Sequence, residues 1–125
     1  MTGQEIYNTA LQLMGETTDK YYEQSALACI NAILSETFEI ENNIRRANGT
    51  ELLDEPTAIT SLRDEVIYSK TLLRAAIPYG VACRLSLSDG DMSRTAWLQN
   101  LYNDAAQSCR KVIVTAIEDV YGGSI

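Results

Sequence analysis

The stretch LLRAAIPYGVACRLSLSDGDMSRTAWLQNLYNDA, from Leu72 to Ala105, decides the fold. Its first half is apolar on nearly every side: Leu72, Leu73, Ala76, Ile77, Val81, Cys83 and Leu85 leave no wide polar face. A helix of that kind is buried against several neighbours, so the spacing predicts a central helix over about 70–87, opened by Ser69 as its cap. Pro78 falls inside it, removes a backbone donor and crowds the carbonyl of Arg74, and a kink is expected there. Gly80, beside Tyr79, lets another backbone approach closely. Ser88-Asp89-Gly90-Asp91 then has the chemistry of a tight turn and an N-cap. A final helix over about 92–120 follows, with Leu98, Leu101, Tyr102, Ala105, Cys109, Val112, Ala116 and Val120 on one stripe, Trp97 near its start, and Gly122-Gly123 closing it.

Toward the N-terminus the same periodicity continues. Thr2 and Glu5 are spaced as a capping box for a helix over about 2–14, and Gly15 stands where a left-handed C-terminal residue belongs. Asp19 is a candidate N-cap for a second helix over about 20–47, whose stripe is Ala26, Ile30, Ile33, Thr37, Ile40 and Ile44. Leu27, Leu34 and Phe38 widen that stripe, while Glu36, Glu39 and Glu41 are expected on the polar side, and Asn48-Gly49 ends the helix. The connection over about 50–69 is the least regular part. Pro56 argues against a continuous helix, and Leu52-Leu53, Ala58-Ile59 and Val66-Ile67-Tyr68 are short β-prone runs. An extended arm or small β-hairpin is expected, with a surface loop as the plainer alternative. The fold class expected is mainly α: residues 1–125 as a single four-helix bundle-like domain carrying that arm between helices 2 and 3.

Composition narrows function more by exclusion than by signature. The chain has 125 residues, 46% hydrophobic and 22% charged, an ordinary globular balance that argues against disorder. Its net charge of -7 disfavours a phosphate-backbone binder, which needs a clustered basic surface. Arg45-Arg46 is the best local basic pair, and its plainer reading is a helix end complementing the macrodipole. There is no histidine, so the common nucleophilic triads and histidine-ligated metal sites have no residues to build them. No glycine-rich phosphate loop is present. Asp89, Asp91 and Ser93 begin like a calcium loop, but Arg94 occupies the sixth position, where glycine is needed, and Asn100 the twelfth, where glutamate is needed. Cys29, Cys83 and Cys109 are an odd set without a CxxC pair, expected as reduced, buried small hydrophobes in a protein made in a cytoplasm without a signal peptide. No apolar run reaches the length of a membrane span. Catalytic, cofactor-binding and metal-binding residues are all expected to be none. Of the seven tyrosines, Tyr21-Tyr22, Tyr68, Tyr79, Tyr102 and Tyr121 supply contact area with a polar tip, although most are expected simply to edge the core.

The order of features resembles the head–tail connector (adaptor, neck) proteins of tailed bacteriophages and prophages. The residues that carry the resemblance are Glu5-Ile6-Tyr7-Asn8, Ala28-Cys29-Ile30-Asn31-Ala32-Ile33-Leu34, and then Ala75-Ala76-Ile77-Pro78-Tyr79-Gly80-Val81-Ala82. They continue with Asp89-Gly90-Asp91 and Trp97-Leu98-Gln99-Asn100-Leu101-Tyr102-Asn103, so nearly the whole chain is covered. The sharpest piece, Pro-Tyr-Gly-Val-Ala followed by an acidic turn, is a pattern of packing residues and not of catalytic ones. The resemblance implies a helical structural virion protein with no enzymatic role. It implies a ring of copies beneath the portal, joining the DNA-filled head to the tail, in the virion neck and, during assembly, in the host cytoplasm. Implied partners are other copies of itself, the portal protein and tail-proximal neck proteins, with DNA passing through the channel unbound and no membrane. Candidate interaction residues are Pro78, Tyr79, Gly80, Asp89, Gly90, Asp91, Trp97, Tyr102 and, in the arm, Pro56. The competing expectation is a small cytosolic helical regulator or adaptor that binds another protein.

Overall fold

The computed structural model describes residues 1–16 and 22–121, and the side chains of the last helix as far as residue 110. Among the described residues six helices follow one another: α1 (Gly3–Leu13), α2 (Glu23–Glu36), α3 (Phe38–Asn48), α4 (Lys70–Ala75), α5 (Ile77–Ser88) and α6 (Met92–Tyr121). The fold is mainly α, and among the described residues no strand forms.

α1 begins where its capping box sits: Glu5 donates its backbone N–H to Thr2 Oγ1 at 3.2 Å, and the Glu5 carboxylate reaches back to the Thr2 backbone N–H. Gly15, at φ 74°, takes the left-handed conformation that ends it. The expected second helix is not continuous. Thr37 divides it into α2 and α3, with φ -96° and ψ 5°. Its hydroxyl donates to the carbonyl of Ile33 at 2.7 Å, a back-bond that bends a helix, while the backbone bonds Thr37 N–H to Ile33 and Glu41 N–H to Thr37 persist. The result is a bend and not a loop. Gly49, at φ 70°, closes α3 as expected.

The central helix is likewise divided, and not at the proline itself. The irregular residue is Ala76, with φ -116° and ψ -46°, and Pro78 sits in the first turn of α5. Proline is tolerated in a first turn because its missing N–H would have no partner there, so the break moves two residues ahead of it. Ser69 does not cap α4 with its side chain, contrary to the sequence expectation; it is engaged by Glu41 instead. α5 is as buried as its composition implies, with Ile77, Pro78, Gly80, Val81, Ala82, Cys83, Leu85 and Ser86 all inside. α1, α2, α4 and α6 all pack against it. α6 runs antiparallel to α5 from a turn in which Gly90 has φ 78°, and at about 1.5 Å per residue it extends well past α5 toward α3 and α4.

The β-hairpin arm does not form. Residues 49–69 are an irregular strap, and its one ladder-like contact is an isolated antiparallel bridge between Thr2 and Glu65. The strap lies on the core, burying Ile59, Val66 and Tyr68. Part of its backbone bonds side chains of α2 and α3, and part bonds the backbone of Met1, Gly3 and Gln4, in place of a partner strand.

The expected cap Asp19, Tyr21, the closing Gly122-Gly123 and the tail lie outside the described residues. So do the side chains of Val112, Ala116 and Val120. Leu98, Tyr102 and Cys109 are buried on the expected stripe, and all three cysteines are free thiols.

Candidate interaction surfaces

Three clusters of polar side chains stand out among the described residues. The first fastens the strap. Asn31 on α2 donates from Nδ2 to the Ile59 carbonyl at 2.9 Å and accepts the Ile59 N–H on Oδ1 at 2.8 Å. Asn42 on α3 repeats the motif with Leu53, at 2.9 Å and 2.8 Å. Each amide thus acts as one rung of a β-ladder. Further along, Glu41 is fully buried; its carboxylate accepts from Arg45 Nε at 2.7 Å, from the Ser69 N–H at 2.8 Å and from the Ser69 hydroxyl at 3.1 Å. Arg45 then donates to the carbonyls of Glu51 at 3.0 Å and Ile67 at 2.8 Å. Glu41 is therefore not on the polar face where its spacing placed it, and Arg45 is a clamp and not a solvated helix end. Tyr68 completes the cluster by donating its hydroxyl to the Leu34 carbonyl at 2.6 Å. Burial pushes the Tyr68 phenol up to about 12.

The second cluster surrounds the acidic turn. Arg94, opening α6, donates to the carbonyl of Met14 at the end of α1 and to Glu16, and it reaches Asp89 at 3.4 Å. Asp89 also accepts the hydroxyl of Tyr22 at 3.1 Å, and Asp91 accepts the Arg94 N–H at 3.0 Å as the N-cap of α6. The turn is thus a joint between α1, α2 and α6. Its carboxylates are committed to protein donors, which accords with a turn plus an N-cap.

The third cluster lines a groove of about 190 Å3 between α2, α5 and α6. Gly80 forms its floor: a Cβ there would lie 2.9 Å from both Ile33 Cδ1 and Tyr102 Cε1. Above it Arg84 pairs with Glu36, and the Tyr102 hydroxyl donates to Glu36 at 3.3 Å. Burial and the neighbouring Glu36 charge raise the Tyr102 phenol far above its ordinary range. Cys83 donates weakly to the Thr95 carbonyl and to Gln99, and burial raises its thiol, the reverse of what an activated nucleophile needs.

Of the residues singled out from sequence, Gly80 and Tyr102 meet in this groove, and Asp89 and Asp91 meet at the turn. Pro78 is core, Tyr79 is half-buried, and Pro56, also half-buried, follows the bend of the strap at Asp54-Glu55. Trp97 stands 55% exposed on α6 and does not line the groove. Sequence reasoning missed Asn31, Asn42 and Glu41. One signal was available: Asn31 and Asn42 are eleven positions apart, three helical turns, and asparagine inside a helix is poorly placed unless its amide has a task.

Among the described residues no group of three or more Cys, Asp or Glu side chains converges to hold a metal ion, and no helix is long and apolar enough to cross a membrane. Compared with family models, curated proteins and solved structures, the chain finds no match.

Proposed function

We propose that the protein is a head–tail connector of a tailed phage or prophage: a structural, non-catalytic subunit that forms a ring beneath the portal and joins the DNA-filled head to the tail. The carrying observation is a helical framework that leaves large apolar side chains exposed at separate, well-anchored places, Ile67 at 58%, Leu87 at 54% and Met92 at 65%. A closed ring of one subunit needs two different contact surfaces on each copy, and these positions supply apolar contact area on the strap and at the α5–α6 corner. The sequence resemblance and the net charge of -7, which suits a channel wall that does not hold DNA, point the same way. The partners on this reading are further copies, the portal and tail-proximal neck proteins, in the virion neck and, before it, the host cytoplasm.

Native mass spectrometry across a concentration series, alone and with purified portal rings, tests the reading. A closed oligomer or stoichiometric binding to the portal is expected. A monomer that ignores portal rings at every concentration would refute it and favour a helical adaptor of another protein.

A further inference from the structure

The strap fastens to both sides of the bend at Thr37, and it changes sides repeatedly. Arg45 and Asn42 of α3 hold it at Glu51 and Leu53, Asn31 of α2 holds it at Ile59, and Arg45 holds it again at Ile67. Its last two residues then divide: the Tyr68 hydroxyl donates to the Leu34 carbonyl of α2, and the Ser69 N–H donates to the Glu41 carboxylate of α3. The two helices belong to different parts of the core, since α2 packs on α1 and α5 whereas α3 packs on α6. Nothing in the chain from Glu23 to Asn48 itself demands a break. It holds no proline or glycine, its apolar stripe runs through Thr37, and the backbone bonds from Thr37 to Ile33 and from Glu41 to Thr37 persist. Two hydroxyls enter the helical ladder. The back-bond of Thr37 to Ile33 is one that a continuous helix also carries, so it permits a bend without fixing its angle. The other comes from the strap. In a continuous helix the Leu34 carbonyl would accept the N–H of Phe38; here it accepts the buried Tyr68 hydroxyl at 2.6 Å.

We infer that the strap is a splint for the α2–α3 bend: seated, it sets the direction of α3, and unseated, it lets α3 turn toward the line of α2. Tyr68 is the positioning residue, because its hydroxyl occupies the carbonyl that would carry the helix onward. The Asn42 and Glu41 bonds hold α3 to the strap on the other side of Thr37. Thr37, at the junction of two elements, is where a hinge absorbs such a change in backbone angle. The direction of α3 is thereby coupled to the seating of a different segment, and whatever draws the strap off the core redirects α3 as well. This device does not depend on the connector reading.

Residual dipolar couplings of the nitrogen-labelled protein measure the angle between α2 and α3, and the carbon shifts of Thr37 report whether it is helical. Three variants separate the causes. Tyr68→Phe keeps the buried ring and frees the Leu34 carbonyl, and it should turn α3 part of the way toward α2. Tyr68→Phe with Asn42→Ala cuts one bond on each side of the bend; it should turn α3 further and move the Thr37 shifts toward helical values. Thr37→Val removes only the back-bond and should leave the angle as in the wild type. If the double variant loses its helical circular dichroism, Tyr68→Phe alone decides. An unchanged angle in the folded double variant, with amide exchange at Leu53 faster than in the wild type, would overturn the splint. So would a Thr37→Val chain that straightens while the amides of Leu53 and Ile59 stay protected, since the bend would then belong to Thr37.

Discussion

The buried carboxylate of Glu41 accepts the backbone N–H of Ser69 at 2.8 Å, across 28 positions of sequence. That bond, with the Arg45 pair on the same carboxylate, joins the end of the strap and the start of α4 to α3. Removing one member of a buried pair strands the other, at a cost of about 3–5 kcal/mol. Glu41→Ala is therefore expected to lose that much in urea denaturation, a large share of a small protein's total stability. A loss below about 1 kcal/mol would show that the strap holds without this clamp.

Asn31 and Asn42 each exchange two hydrogen bonds with a single strap residue. Alanine at either leaves a backbone N–H and carbonyl without their partner, costing about 1–3 kcal/mol. The two amides sit on different helices and hold different strap residues, so the double variant should lose about the sum of the single losses. Hydrogen exchange at the amides of Ile59 and Leu53 reads each staple separately: Asn31→Ala should speed exchange at Ile59 and leave Leu53 protected. Equal acceleration at both would mean that the strap lifts as one unit.

Gly80→Ala sets two effects against each other. Alanine favours a helix by about 1 kcal/mol, but its methyl would sit 2.9 Å from Ile33 Cδ1 and Tyr102 Cε1, and overpacking costs about 1–3 kcal/mol. The Tyr102 ring is tied to Glu36 and cannot swing away freely. A net fall in Tm is expected. A rise would show that Ile33 and the ring yield at little cost.

Tyr68 makes stability fall at high pH. Its phenol is held neutral by burial, with a folded value of about 12 against 10.0 in a free chain. The stabilisation is fully present below pH 10, where both states are protonated, and is lost as pH rises from 10 to 12, because the unfolded chain gives up the proton first. The whole loss is about 2–3 kcal/mol. The difference between wild type and Tyr68→Phe in denaturation at pH 9 and pH 11.5 measures it. Tyr68→Phe should lessen this fall without abolishing it, since the buried Tyr102 phenol loses stability over the same range, and should lower stability at neutral pH through the lost bond to Leu34.

Local chemistry was legible in the residues themselves. The Thr2–Glu5 box, the left-handed Gly15, the helix end at Gly49, the turn and N-cap within Ser88–Asp91 and the apolar core helix around Val81 all involve neighbours within a few positions, and they stand as the sequence implies. Periodicity sees only such short-range order. Whether Thr37 bends a helix depends on which way its hydroxyl turns once packed, and the pattern gave no sign of it. The break stands at Ala76 rather than at Pro78 because the proline takes a place in the first turn of α5, where its missing N–H costs nothing. Whether residues 49–69 pair as a hairpin or lie as a strap was a question of donors and acceptors elsewhere in the chain. Asn31, Asn42, Arg45 and Glu41 answer it from α2 and α3, across as many as 28 positions. Burial of a charge such as Glu41, and the gathering of Gly80, Ile33 and Tyr102 into one groove, exist only when distant segments meet, so tertiary structure alone decided them.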